Sequence, residues 1–213
     1  MGAKTWMLVY SEGNPREILQ SKPALNREAT AAFAKKLFPT AKLEALDDVS
    51  LSFTCPPDDE LMVGCFPGMS IVAAKEFGID YPSKLRASFL KAATPNQSVY
   101  LHAMHSVVDW FAYAIWHDGK LQRSLSLSPD RGLIEDIGAR LPFEEPYWAG
   151  RHPAFPLEEE ESGYPFPFHP LELGEAALLN LFGYQLEGDP SSIDLEDVPL
   201  MHFKRSKSWW RWG

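Results

Sequence analysis

Residues 98–128 read SVYLHAMHSVVDWFAYAIWHDGKLQRSLSLS, and the fold class turns on whether they form strands or a helix. Val107, Trp110, Phe111, Ala114 and Ile115 fit helical spacing. Against that, aromatic and β-branched residues dominate the stretch, and Asp118-Gly119, the dipeptide of a tight hairpin turn, follows directly. The strand reading is the stronger one. It makes Ser98–Met104 and Trp110–Trp116 strands and Lys120–Leu127 the return arm of a hairpin. In that arm Arg123 breaks the apolar series Leu121, Leu125, Leu127, while Ser124, Ser126 and Ser128 take the other face, which is expected to meet water or a shallow cleft.

Working outward toward the N-terminus, Thr5–Tyr10 reads as a buried first strand stopped by Ser11-Glu12-Gly13-Asn14-Pro15. A helix capped by Asn26 is expected to run to Leu37 with Ala29, Phe33 and Leu37 inward, followed by a strand from Lys42 to Leu46. Leu61–Phe66 and Met69–Phe77 flank Pro67-Gly68, a type II turn signal, and form a second hairpin. A further helix is expected after Ser83, with Leu85, Phe89, Ala92 and Ala93 on its inner face and Pro95 ending it. Toward the C-terminus, Pro142–Pro170 carries seven prolines and seven aromatics, which predicts an ordered extended wrap with an acidic tip at Glu158–Glu161. A third long helix, Pro170–Phe182, ends at Gly183. The sum is an α+β fold: a largely antiparallel sheet of about five to seven strands with about three helices packed on one face. Residues 1–203 are expected to form one domain and residues 204–213 a basic, Trp-rich tail.

Composition narrows the function classes. At 213 residues the chain can bury roughly 70% of its unfolded surface and needs no disulfide or metal to fold. A formal charge of −9, from 29 acids against 20 bases, disfavours nucleic acid as a partner. Cys55 and Cys65 match no metal or redox spacing and read as buried thiols. No signal peptide is read before the first strand, no apolar run approaches the ~20 residues that span a bilayer, and Trp6 stands where a myristoylation signal wants Ser or Thr. The expected compartment is the cytoplasm, with no transmembrane segment.

The candidate chemistry centres on His102 to Trp110. A helix there would align His102, His105 and Asp109 as a metal-binding face. A strand puts His102 and His105 on opposite faces and, at ~3.3 Å per residue, leaves His105 and Asp109 about 13 Å apart. A turn between Met104 and Trp110 would reunite them as a histidine oriented by a carboxylate. His105 and Asp109 are therefore the candidate catalytic pair, although a structural pair beside a turn is the preferred reading, and neither a metal nor a cofactor is expected. Glu144 and Glu145 near Trp148 could mark a ligand site, but neighbouring carboxylates on an extended chain diverge. His152 and His169 each precede a proline and read as turn-formers. The tail, with Trp209 and Trp210 among four bases and no acid, suits docking on the protein's own acidic surface, on a protein partner or on a second copy. Trp110, Trp148, Glu144, Trp209 and Trp210 are the candidate binding residues.

At Met104-His105-Ser106-Val107-Val108-Asp109-Trp110, Arg123 to Asp130, Pro146-Tyr147-Trp148-Ala149-Gly150 and Pro167 to Glu175, the chain resembles a family of uncharacterised bacterial proteins, mainly actinobacterial, with a domain of unknown function. The resemblance covers nearly all of the first two hundred residues and stops short of the tail. It implies a bacterial intracellular protein, and no activity, cofactor or catalytic residue. The expectation is a non-catalytic binding or regulatory protein, which could include an immunity-type role. The rivals are a small hydrolase with a pocket near His105, Asp109 and Trp148, and a protein that self-associates through its tail.

Overall fold

Thr5 to Ser11 are all buried along the first strand, so that strand must be covered on both faces. The computed structural model describes residues 3–155, 163–187 and 193–207. In chain order these form β1 (Lys4–Ser11), α1 (Pro15–Gln20), α2 (Arg27–Leu37), β2 (Ala41–Ala45), β3 (Val49–Ser50), β4 (Glu60–Phe66), β5 (Met69–Ala73), α3 (Ala87–Leu90), β6 (Ser98–His105), β7 (Trp110–His117), β8 (Lys120–Ser128), β9 (Gly132–Ile137), α4 (Glu145–Trp148), α5 (Pro170–Phe182) and β10 (Pro199–Lys207). The ten strands make one sheet in the order β2-β10-β4-β5-β1-β6-β7-β8-β9, with β3 also paired to β10, and its ladders are antiparallel.

The α+β class and the antiparallel sheet follow the expectation, and the strands around residue 110 form where the sequence places them. Asp118 and Gly119 both hold positive φ (+49° and +70°), the requirement of the tight hairpin turn, and Gly68 (φ +73°) supplies the one left-handed residue of the Pro67-Gly68 turn. Two expectations are corrected. The sheet has ten strands, not five to seven, because β3, β9 and β10 lack a clean alternation: β3 is two residues long, and β10 begins with proline and ends in charge. The helices also lie on both faces. Met7, Val9, Met104 and Phe111 point to a layer built by α1, α5 and the proline-rich wrap, whereas Trp6, Leu8, Leu101 and Ala112 point to one built by α2, α3 and the turns at residues 75–84.

Among the described residues two helices are longer than two turns, α2 and α5. The helix expected after Ser83 shrinks to the single turn of α3, because Leu85 and Arg86 hold extended ψ angles of 132° and 130° that carry Leu85 into the core. Conversely, α1 forms where a stop was read, with Asn14 as cap and Pro15 in the first turn. In α2 the buried face is Thr30, Ala34 and Leu37, one step round from the expected Ala29, Phe33 and Leu37. The reason is polar. The β10 ladder leaves β4 at Val63, and beyond it the Cys65 backbone is satisfied by α2, through Asn26 N–H to Cys65 C=O (2.8 Å) and Cys65 N–H to Thr30 Oγ1 (2.9 Å).

Arg123 explains its own break in the pattern. Its side chain is 1% exposed and donates through Nε (2.9 Å) and Nη2 (2.6 Å) to Glu144, which is fully buried, and through Nη1 to Asp136. Glu144 also accepts from the Tyr113 hydroxyl (2.5 Å) and the Leu141 amide (2.8 Å). Burial, then the charge of Glu144, pushes the Tyr113 phenol well above its ordinary range, so the hydroxyl stays a donor. This cluster pins the start of the proline-rich wrap to β7 and β8. Beyond it Phe166 and Phe168 are buried in the same layer, with Trp148 set edge-on to Phe168 at 4.9 Å; the acidic tip lies outside the described residues. Of the three serines on the opposite face of β8, Ser124 and Ser126 are fully buried, Ser124 donating to Glu135, which also accepts from the Ser83 amide (2.9 Å) and hydroxyl (2.5 Å).

Glu175, on the buried side of α5, accepts from the Leu186 (2.8 Å) and Glu187 (3.2 Å) amides and so holds the chain after the helix. Burial raises its pKa from 4.5 to about 7 against those two hydrogen bonds.

Two stability measurements check these assignments. Glu144→Ala leaves the Arg123 charge buried without its main partner and should cost about 3–5 kcal/mol by denaturant unfolding, while a double Arg123→Met, Glu144→Leu chain should recover much of the loss. For Glu175 the folded state holds the proton more tightly than the unfolded state, so its contribution to stability falls as pH rises from about 4.5 to about 7 and is flat above. The wild type should therefore lose stability relative to Glu175→Gln across that window; parallel pH profiles would refute it.

Candidate functional site

Because side chains alternate along a strand, the strand reading of residues 98–117 separates the two histidines. His102 faces the α5 layer, fully buried, with its Nε2–H donated to the Gly174 carbonyl at 2.9 Å. Gly174 makes this contact possible: a Cβ there would sit 3.0 Å from Met104 Sδ and 3.1 Å from Phe111 Cδ2. Burial lowers the His102 pKa to about 4, so the ring stays neutral and structural.

His105 faces the other layer and lines a cleft of about 300 Å3 at the end of the sheet where β6 turns into β7. The floor is aromatic. His105 is the cross-strand partner of Trp110, and its ring lies 5.5 Å from that of Trp6 on β1, which in turn lies 6.0 Å from Trp110. Trp110 is anchored from below by its indole N–H to Ser126 Oγ (3.2 Å). Trp6 is held between Gly78, where a Cβ would fall 2.8 Å from the indole, and the Lys75 ammonium, 4.8 Å from the ring centroid. Ser128 reaches the cleft from β8, and an Asp80–Arg131 ion pair (2.5 Å) stands on its rim.

The imidazole is set up as a neutral donor. His105 Nδ1 accepts from the Val107 amide at 3.2 Å, which leaves the proton on Nε2. Partial burial first, and then the charges of Lys4 and Lys75, lower its pKa. Asp109 does not orient it. That residue takes a positive φ (+44°) in the turn, and its Oδ2 lies 3.6 Å from Nε2 of His169, the residue that caps α5 through Nδ1 and the Leu171 amide (3.3 Å). Glu144 is taken up by Arg123 and Tyr113, and Trp148 packs on the α5 face under the Arg140 guanidinium, 4.1 Å from its ring. The structure thus brings His105 and Trp110 together and sends Asp109, Glu144 and Trp148 elsewhere; Trp209 and Trp210 lie outside the described residues. Of the tail, residues 204–207 continue β10 and pair with β2.

Sequence reading missed Trp6, Lys75, Asp80 and Arg131. Trp6 carried a usable signal, since it shares a face of β1 with Leu8 and Tyr10. The others come from loops whose approach to the sheet has no periodicity to betray it. Cys55, free and half-buried, lies close enough to Trp6, Lys4 and Lys75 to feel them, but burial outweighs the lysines and raises its pKa, so the thiol stays protonated. Among the described residues no group of three His, Cys, Asp or Glu could hold a metal ion, and no helix is long and apolar enough to cross a membrane. The cleft offers a floor of tilted aromatic rings, one neutral N–H donor and a charged rim, the equipment of a binding site.

The lysine effect on His105 is open to direct measurement. Lys75→Ala removes a nearby positive charge and should raise the imidazole pKa followed by NMR titration; an unchanged value would mean that Lys75 does not act on the ring.

Comparison with curated proteins and with solved structures gives no match. One family profile matches over residues 5–203, from the first strand into β10, and the chain belongs to that family, DUF6928, a family of unknown function.

Proposed function

We propose that the protein is a non-catalytic binding protein that engages a protein partner through the Trp6–His105–Trp110 cleft. The observation that carries this reading is the apolar rim beside an indole floor: Val107 and Val108 in the β6–β7 turn are 73% and 48% exposed, and Val108 itself lines the cleft. Tyr81, adjacent to the rim residue Asp80 and close enough to Arg131 to influence its charge, is 48% exposed as well. Large exposed apolar side chains gathered at a concave site are the usual mark of a docking surface. A partner side chain packed on Val108 at the mouth of the cleft would exclude water there and offer an acceptor to His105 Nε2–H.

An enzymatic reading is less well supported by the same groups. A general base needs an orienting partner and a reacting group within hydrogen-bond reach, and the carboxylate nearest in sequence, Asp109, lies against His169. Association of two copies through the tail makes a separate prediction. Since residues 204–207 belong to β10, the truncation that tests it removes residues 208–213 only.

The test is quantitative capture of a binding partner from the host by the wild type, by Val108→Asp and by Trp110→Phe. Affinity should fall at least about tenfold in Val108→Asp, with the unfolding midpoint unchanged. Capture that Val108→Asp leaves intact would sink the cleft as the docking site. Turnover of a hydrolase substrate abolished by His105→Ala would replace binding by catalysis. A partner identified as the protein itself, lost on truncation after Lys207, would transfer the interface to the tail.

A further inference from the structure

A second cleft, of about 580 Å3, lies where the ends of α2 and β10 meet α3. Its base is closed: Leu37, Phe38 and Phe89 are buried, with the Arg205 guanidinium over the Phe38 ring and the Arg86 guanidinium over the Phe89 ring, each 4.8 Å from the centroid. Its charges balance as well, since Asp58, Asp59 and Glu76 stand among Lys36, Arg86 and Arg205. An occupant is therefore selected by the kind of contact it makes and not by net charge.

The exposed walls define those contacts. Arg86 has one face on Phe89 and is itself exposed, which leaves the outer face of its guanidinium to solvent. Asp58 is exposed too, and its carboxylate forms no ion pair among the described residues, whereas Glu76 is held by Arg205 and Asp59 lies 3.7 Å from Lys204. A flat cation is best covered by an indole, and a free carboxylate by a guanidinium. The complement is a short segment that carries tryptophan beside arginine.

The chain itself carries such a segment, and it starts at the cleft. Arg205 and Ser206 line the wall, and Lys207, the last residue of β10, pairs with Ala41, which lines it as well. Residues 208–213, Ser-Trp-Trp-Arg-Trp-Gly, follow and lie outside the described residues. Six residues reach at most about 20 Å from that point. A tether this short keeps its side chains near the cleft at a millimolar or higher effective concentration, so weak contacts suffice. Phe203 and Arg205 face the α2 side of the sheet, and alternation puts residue 209 on that side for as long as the backbone stays extended.

We propose that this cleft seats the chain's own C-terminal segment, residues 208–213. The Trp209 indole covers the outer face of the Arg86 guanidinium, completing a Phe89–Arg86–Trp209 stack, and Arg211 pairs with Asp58. The tail then belongs to its own protomer instead of linking two. This seat is separate from the cleft at His105 and does not depend on its reading.

The experiment is NMR of the full chain, reading the Arg86 side-chain resonances, which an indole laid on the guanidinium shifts upfield. The wild type should show that shift and Trp209→Ala should lose it. Trp210→Ala, on the opposite face of an extended strand, should keep it. Asp58→Asn should reduce the shift and make what remains less sensitive to added salt. Dilution of the wild type by about tenfold should leave the resonances in place, because the contact lies within one chain. The proposal fails if Arg86 resonates at the same position in the wild type and in Trp209→Ala. It fails equally if the shift fades on dilution, which would give the tail to a second copy.

Discussion

A single antiparallel sheet buried on both faces is the constraint from which the rest of this molecule follows. In β1, β6 and β7 both sets of alternating side chains leave water, so every polar group on these strands needs a partner inside the protein. The partners come from the covering layers, and each such bond fixes a piece of the cover. His102 reaches the Gly174 carbonyl and sets how closely α5 approaches. Tyr113 and Arg123 take Glu144 and fix the start of the proline-rich wrap. Ser124, through Glu135, holds the turn at Ser83. Apolar burial supplies most of the driving force, but these polar bonds decide which segment lies where.

The two faces are covered by different means, and that difference places the clefts. On one side α5 and the aromatic wrap form a continuous layer. On the other, α2, the single turn of α3 and the short turns at residues 75–84 cover the middle of the sheet and leave its ends partly open. The cleft at His105 lies on this second face, where β6 turns into β7. The floor of the cleft at His105 is aromatic because β1 and β7 place Trp6 and Trp110 side by side at that end of the sheet.

Much of the frame was legible in the order of residues. Asp118-Gly119, Pro67-Gly68, Asn26 and Gly183 each act through the local backbone, and each does in the structure what its chemistry requires. The apolar strands were legible because their period is local as well. What escaped was set at a distance. β10 reads as a charged, proline-led segment until β2 and β4 are laid on either side of it, and the helical propensity after Ser83 yields to the need to bury Leu85 and Phe89 together. Arg123 showed in sequence only as an interruption; its meaning lay in Glu144 and Asp136.

The site divides along the same line. The period of a strand alone dictated that His102 and His105 point to opposite faces, since alternation is a property of the extended backbone. Which groups those faces would meet was a tertiary matter. His105 lies beside Trp6 and Trp110 because β1, β6 and β7 are neighbours in register, and Asp109 lies against His169 because α5 begins beside the turn. Local chemistry fixed the direction of each side chain, and long-range packing chose its company.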